Sequence, residues 1–366
     1  MKKKTLIISN NYFNLYNFRE SLIKKLYEHN SLELHLCAKK DNFFNNFSNL
    51  SVKNHHINIL ERSYSVISNF ITLKNIYFLI KKEKFINIFS FTIKPNLFLC
   101  ILKFFFNFKL IVTISGLGEI FLKKNFKNKL ISLMYIKLLS KSDYIFCHNE
   151  YDFQFLLSRN NKLKKKIEVI NGSGVNLNKF KFSPLKTDNK VIFLLVARII
   201  KEKGIIEYLK ASKMIKDLNK FNCQFILIGD IYKKSIFNNI FYKELLLSPV
   251  EYLGFKSNII YYLNNCSCLV LPSYRDGMSK ILLEGCAVGR PLIASDVPGC
   301  NNIVKNSYNG FLFEPKSSIS LFEAMKKFLL LSKEEKIEFS VNSKNYSNNF
   351  DEKYVLDRYI CTLDTN

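Results

Sequence analysis

No run in this 366-residue chain is apolar for long enough to cross a bilayer. The most apolar stretch, residues 97–114 (LFLCILKFFFNFKLIVTI), is interrupted by Lys103, Asn107 and Lys109, and so predicts a helix followed by a strand. A secretory leader is not expected either. Behind the lysines of MKKKTLIISNN only Leu6, Ile7 and Ile8 form an apolar run before Ser9, which reads as a first buried strand. The nine cysteines are scattered, odd in number and mostly set in apolar runs, which excludes a disulfide framework and predicts buried thiols in a reducing compartment. Cys266-x-Cys268 has no second pair or nearby histidine to complete a metal site. No short-period repeat is present, which excludes a solenoid. Acidic residues are the scarce charge: 30 Asp and Glu face 55 Lys and Arg, a formal net charge of +25.

The excess is uneven. Residues 1–180 carry 29 Lys and Arg against 11 Asp and Glu, whereas residues 181–366 carry 26 against 19. Such a field attracts nucleic acid, an anionic bilayer or a diphosphate substrate. The 34 Phe and 19 Tyr fall mostly in apolar, core-like runs and are not interleaved with basic residues, so nucleic acid is not the expected partner. A 48% hydrophobic content is ample for two cores of ordinary size. Strand-length apolar runs alternate with helical patterns through both halves, the signature of parallel α/β sheets. Strands are expected near 5–9, 32–37, 87–91, 109–114, 144–147 and 167–170, and again near 191–196, 223–228, 250–253, 268–271, 291–294 and 310–313. Helical patterns follow at 318–331, 333–346 and 352–363. Gly, Pro and polar residues gather between 172 and 189, where the boundary is expected.

Open parallel sheets bind ligands at the carboxyl ends of their strands, and the chemistry-bearing residues fall in those loops. Asp276 and Glu284 are separated by seven residues, one in a glycine-containing loop and the other about two helical turns later. Such a loop, closing on a helix N-terminus, offers N–H groups to a diphosphate, and its carboxylates accept hydrogen bonds from sugar hydroxyls. Gly277, Met278 and Ser279 would then face the phosphates. Arg198 and Lys203, five residues apart after another strand, form a pair of cations suited to clamp a diphosphate. Asp230, at the end of a third strand, and Phe255 with Lys256, in LGFKSN, complete the candidate donor site.

PSYRDGMSKILLEGCAVGRPLIASDVPGC (272–300) resembles the donor-site signature of the retaining glycosyltransferases of family 4, a Glu-x7-Glu motif within a Pro-Ser…Gly…Glu…Gly-x-Pro frame, with Asp276 in place of the first Glu. The resemblance implies the GT-B fold: two Rossmann-like domains facing each other across a cleft, with the last helix crossing back to the first. That gives an acceptor and membrane-facing domain over 1–178, a nucleotide-sugar domain over 179–349, and a returning helix over 350–366. In this family Arg198 and Lys203 would stabilise the departing UDP, Glu284 would accept the ribose hydroxyls and Asp276 would lie near the donor sugar. With no Asp-x-Asp in the donor region, no cofactor and no metal ion are expected, and the UDP-sugar is substrate.

Asn17-Phe18-Arg19, GLGEIF (116–121) and INGSGVNLNKF (170–180) resemble members of the family that extend polyprenyl-diphosphate-linked saccharides in capsule, lipopolysaccharide or glycoprotein glycan assembly. The likeness implies that Arg19, Gly116 and Gly118 face the acceptor diphosphate, although both glycines would also suit a tight turn. The family's catalytic-loop histidine is absent after LIVTIS, and His148 reads as a packed strand-end residue. Lys103-Phe104-Phe105-Phe106 and the lysines around Phe126 combine cations with apolar wedges, suited to peripheral docking on the anionic inner face of the cytoplasmic membrane. A sugar-nucleotide epimerase of the same fold and an inactive nucleotide-binding or nucleic-acid-binding homologue are the alternatives.

Overall fold

The computed structural model describes residues 2–60, 65–117, 121, 126–187, 190–231 and 236–364, without the side chains of 126, 127 and 236. Two units emerge: Met1–Ser173 with Lys353–Asn366, and Gly174–Glu352. The first crossing falls at 173/174 and the second at 352/353, because Val175 and Glu352 form backbone hydrogen bonds within the second unit, Val175 N–H to the Phe350 carbonyl and Glu352 N–H to the Val175 carbonyl.

The first unit is built on a seven-stranded parallel sheet: β1 (Lys3–Asn11), β2 (Leu32–Lys39), β3 (Lys53–His56), β4 (Asn87–Phe91), β5 (Lys109–Ile114), β6 (Tyr144–Cys147) and β7 (Ile167–Val169). Its spatial order is β3-β2-β1-β4-β5-β6-β7, with the topological switch between β1 and β4. Leu6, Ile7 and Ile8 are wholly buried, as a central parallel strand requires with both faces covered. The 97–114 stretch resolves into a helix, Ile93–Leu102, a turn, and β5. β3 escapes the sequence pattern because it is the polar edge segment KNHH, held by its pairing with β2. The helix Tyr12–Tyr27 begins where the Asn11 side chain accepts the Asn14 N–H at 2.8 Å, a good N-cap.

The last helix, Glu352–Asp364, completes this unit. Tyr359 is buried between Phe89, Phe91 and Phe146, and its hydroxyl shares a 2.7 Å hydrogen bond with Thr113.

The second unit repeats the plan with six parallel strands: β8 (Val191–Val196), β9 (Cys223–Ile228), β10 (Val250–Tyr252), β11 (Cys268–Leu271), β12 (Leu292–Ser295) and β13 (Gly310–Phe313). The order is β10-β9-β8-β11-β12-β13, so the switch lies between β8 and β11. All nine cysteines are free and seven are buried, Cys266 and Cys268 among them. Burial pushes the Cys266 thiol up to about 12, which suits inert core residues.

Candidate active site

In the second unit the segments that follow β8 and β11 flank the switch point, where an open α/β sheet leaves its crevice. After β8, Arg198 is exposed, and residues 201–203 make one 3₁₀ turn before the helix Ile205–Asp217. Gly204 joins turn to helix at φ +67°, and a Cβ there would lie 1.9 Å from the Pro272 carbonyl oxygen. Only glycine fits, so the backbone around Lys203 rests directly on the loop that follows β11. That loop is tied back twice more: Tyr274 N–H donates to the Glu202 carbonyl at 2.9 Å, and its hydroxyl to Glu207 Oε1 at 2.7 Å.

Lys203 and Asp276, 73 residues apart in sequence, meet at 2.6 Å. Their side chains keep 19% and 21% exposure, so the pair is neither sealed nor freely hydrated. Lys203 is thus oriented by Asp276, a link that the sequence motifs alone did not reveal.

Glu284 lies in the second turn of the helix Lys280–Ala287 with 13% exposure. Burial raises its pKa, while the ammonium groups of Lys280, at 3.9 Å, and Lys179 oppose the rise. Lys280 stands at i,i+4 spacing and was legible; Lys179 was not. A raised folded-state pKa means that the native protein holds the proton more tightly than the unfolded chain. The stability contribution is therefore present at low pH and lost as pH rises above the unfolded value of about 4.3. Glu284→Gln is accordingly expected to melt at a higher Tm than the parent at pH 7 and at the same Tm near pH 4. Matching Tm values at both pH values would mean that the two lysines already offset the burial.

Ser279 departs from expectation. Its N–H does not face outward but donates to the Gly299 carbonyl at 3.0 Å, and its hydroxyl caps the helix by accepting the Leu282 N–H. Met278 is half-buried and packs on the core. Gly277 is buried, and this loop is braced by the 298–299 segment, since Asp276 N–H also reaches the Pro298 carbonyl at 3.4 Å. Asp230 is exposed after β9. Gly229 N–H donates to the Gly254 carbonyl at 2.9 Å, which fixes the loop carrying exposed Phe255 and half-buried Lys256 beside it.

In the first unit Arg19 occupies the middle of its helix, eight residues after the Asn11 cap. It is only 3% exposed. The guanidinium stacks on Phe91 at 4.2 Å and approaches His148 Nε2 at 3.5 Å. Burial lowers its pKa, and burial together with Arg19 holds His148 well below its usual value, so His148 is neutral and adds no competing charge. No carboxylate pairs with Arg19 among the described residues, and its buried Nε has no partner. A buried cation in that state is suited to an incoming anion. Gly116 follows β5 with φ +132°. The adjacent Leu117 N–H donates to Asp152 Oδ2 at 3.1 Å. Gly118 lies outside the described residues.

Residues 177–346 match the family described as Glycosyl transferases group 1. The chain is also similar to the N,N'-diacetylbacillosaminyl-diphospho-undecaprenol alpha-1,3-N-acetylgalactosaminyltransferase of Campylobacter jejuni, at 30% identity over 378 residues, covering 96% of this chain and 95% of that one. The chain belongs to the group 1 glycosyltransferases.

This glycosyltransferase is 26% identical, over 326 residues, to the UDP-Gal:alpha-D-GlcNAc-diphosphoundecaprenol alpha-1,3-galactosyltransferase of Escherichia coli, covering 82% of this chain and 81% of the relative. Among solved structures it is similar to a Rickettsia africae glycosyltransferase, with a TM-score of 0.79 at 17% identity over 100% of both chains. Anabaena HepE in complex with UDP and glucose gives 0.79 at 16% identity over 99% of both. At these identities the glycosyltransferase shares their fold, two parallel-sheet Rossmann-like units of the GT-B class.

Proposed function

We propose that this glycosyltransferase moves a hexose or N-acetylhexosamine from a UDP-sugar, with retention at the anomeric carbon, to a saccharide carried on a polyprenyl diphosphate. The setting is assembly of a bacterial cell-surface polysaccharide or glycan. The donor half of this reading is carried by the partly exposed Lys203–Asp276 pair at the β8/β11 switch point, followed by half-buried Glu284 on the next helix. The acceptor half rests on Arg19, a buried cation with no carboxylate partner among the described residues. Both relatives are named for acting on a sugar joined to diphospho-undecaprenol, and their names describe transfer and not epimerisation.

Arg198 and Lys203 oppose the negative charge that grows on departing UDP, Glu284 accepts ribose hydroxyls, and Asp276 orients Lys203 near the donor sugar. The acceptor hydroxyl forms its new bond to the anomeric carbon on the face from which the diphosphate leaves. The departing phosphate oxygen takes the hydroxyl proton, so neither a general base nor a metal ion is required. The enzyme works peripherally on the inner face of the cytoplasmic membrane and takes no nucleic acid. Among the described residues no helix is long and apolar enough to cross a membrane.

The test is UDP release from a panel of UDP-sugars, with and without polyprenyl-diphosphate-sugar acceptors and with chelator added. Acceptor-dependent release from one donor is expected, unchanged by chelator and lost in Arg198→Ala and Glu284→Ala. Absence of UDP binding would sink the reading.

A further inference from the structure

The helix Val66–Glu83 in the first unit is amphipathic in an unusual sense: both of its faces carry large apolar side chains. Its inner face is satisfied, since Thr72, Ile76 and Ile80 are buried and Leu73, Tyr77 and Leu79 pack against the same core. The outer face repeats at three- and four-residue spacing, so its side chains share one stripe. On it Val66, Ile67, Phe70, Ile71 and Phe78 are each between 52% and 81% exposed. A helix that only had to cover a core would keep this side polar. The stripe is also firmly mounted. Lys94 Nζ donates to Asn69 Oδ1 at 2.9 Å, and Thr72 Oγ1 donates to the Asn58 carbonyl at 3.2 Å.

Charge decides what would cover it. Lys74, Lys81 and Lys82 are exposed along the stripe, and the one acid of the helix, Glu83, is turned away to Lys4 at 2.9 Å. Beyond its C-terminal half Phe105 stands 6.5 Å, ring to ring, from Tyr77, and Phe104 and Phe105 are exposed, while Phe106 packs inward. A second copy would oppose lysines with lysines. An anionic bilayer accepts both halves of the pattern, apolar side chains into the acyl boundary and ammonium groups among the phosphates.

We propose that the outer face of the helix Val66–Glu83 is the surface on which this protein lies against anionic lipid, with Ile67, Phe70 and Ile71 entering the bilayer. The proposal deepens, and rests on, the reading of the enzyme as one that reaches a membrane-borne acceptor.

The chain contains no tryptophan, so Phe70→Trp supplies a single emission reporter in the full-length protein. Its emission is expected to shift to the blue with phosphatidylglycerol-containing vesicles and to stay unchanged with pure phosphatidylcholine. Phe70→Glu with Ile71→Glu should reduce vesicle co-flotation at least tenfold and leave both UDP affinity and transfer to a water-soluble short-chain acceptor unchanged, because neither side chain is part of the core. Lys74→Glu with Lys81→Glu and Lys82→Glu should abolish the preference for anionic lipid. An unshifted emission, co-flotation of the double variant at parental levels, or equal binding to both vesicle types would overturn the proposal. So would a dimer that the double variant dissociates while vesicle binding persists. A lipid-dependent shift without turnover on any acceptor would leave the surface standing and remove the transfer reading; turnover on the soluble acceptor without a shift would do the reverse.

Discussion

Lys203→Ala is expected to lower turnover by about 10²–10³-fold, the usual loss when one charge-stabilising donor is removed from a site. Two features make the effect large: the ammonium is held by Asp276 at 2.6 Å, and it sits in a partly dehydrated crevice, where charge is screened less than at an open surface. Asp276→Asn separates two roles. If the carboxylate acts only by orienting the ammonium, Asp276→Asn adds nothing in the Lys203→Ala background; if it also meets the sugar, it costs again there. Steady-state rates of the four proteins in a double-mutant cycle measure the difference. Turnover within threefold of the parent in Lys203→Ala would show that Lys203 does not face the leaving group.

Gly204→Ala is expected to destabilise the second unit by on the order of 3–5 kcal/mol, a range reached only when backbone geometry or a core contact is broken. Gly254 supplies the control. Both glycines have φ +67°, but a Cβ at Gly254 meets nothing within 4 Å, whereas at Gly204 it meets the Pro272 carbonyl at 1.9 Å. Gly254→Ala should therefore cost only the left-handed conformation, about 1–2 kcal/mol. Urea unfolding of the two variants isolates the steric part. Equal losses would mean that the β11 loop yields, and the rigid seat inferred for Lys203 would fail with it.

Much of this architecture was readable from residue pattern, for a physical reason: a strand covered on both faces must be a short apolar run. β4, β5, β6, β8, β9, β11 and β13 fall where those runs predict. β3 did not, because KNHH is joined to the sheet by backbone hydrogen bonds that leave no mark on side-chain polarity. In the candidate site, Arg198, Lys203, Asp276 and Glu284 could be picked out as residues, but the Lys203–Asp276 pairing could not. Which charge meets which depends on loops 70 or more positions apart, as with Lys203 and Asp276. The partner of the Ser279 N–H is hidden from residue pattern for a related reason: an N–H at a helix start is available to a ligand only if no neighbouring loop claims it first, and Gly299 does. The outer stripe of Val66–Glu83 carries the reverse lesson. Apolar residues on both sides of a helix predict burial all round, and only the fold reveals which side is left bare.

The returning helix has a consequence for the order in which the protein matures. Val355 and Tyr359 share one core with Ile7, Phe89, Ile111 and Phe146, so the first unit cannot close until they have been synthesised. At about 5–20 residues per second, the roughly 180 residues between Ser173 and Val355 take on the order of 10–40 s to make. The second unit, contiguous from Gly174 to Glu352, is free to fold in that interval. The half of the chain begun first is therefore the last to be finished, and it waits on the ribosome with an aromatic slot open beside Arg19.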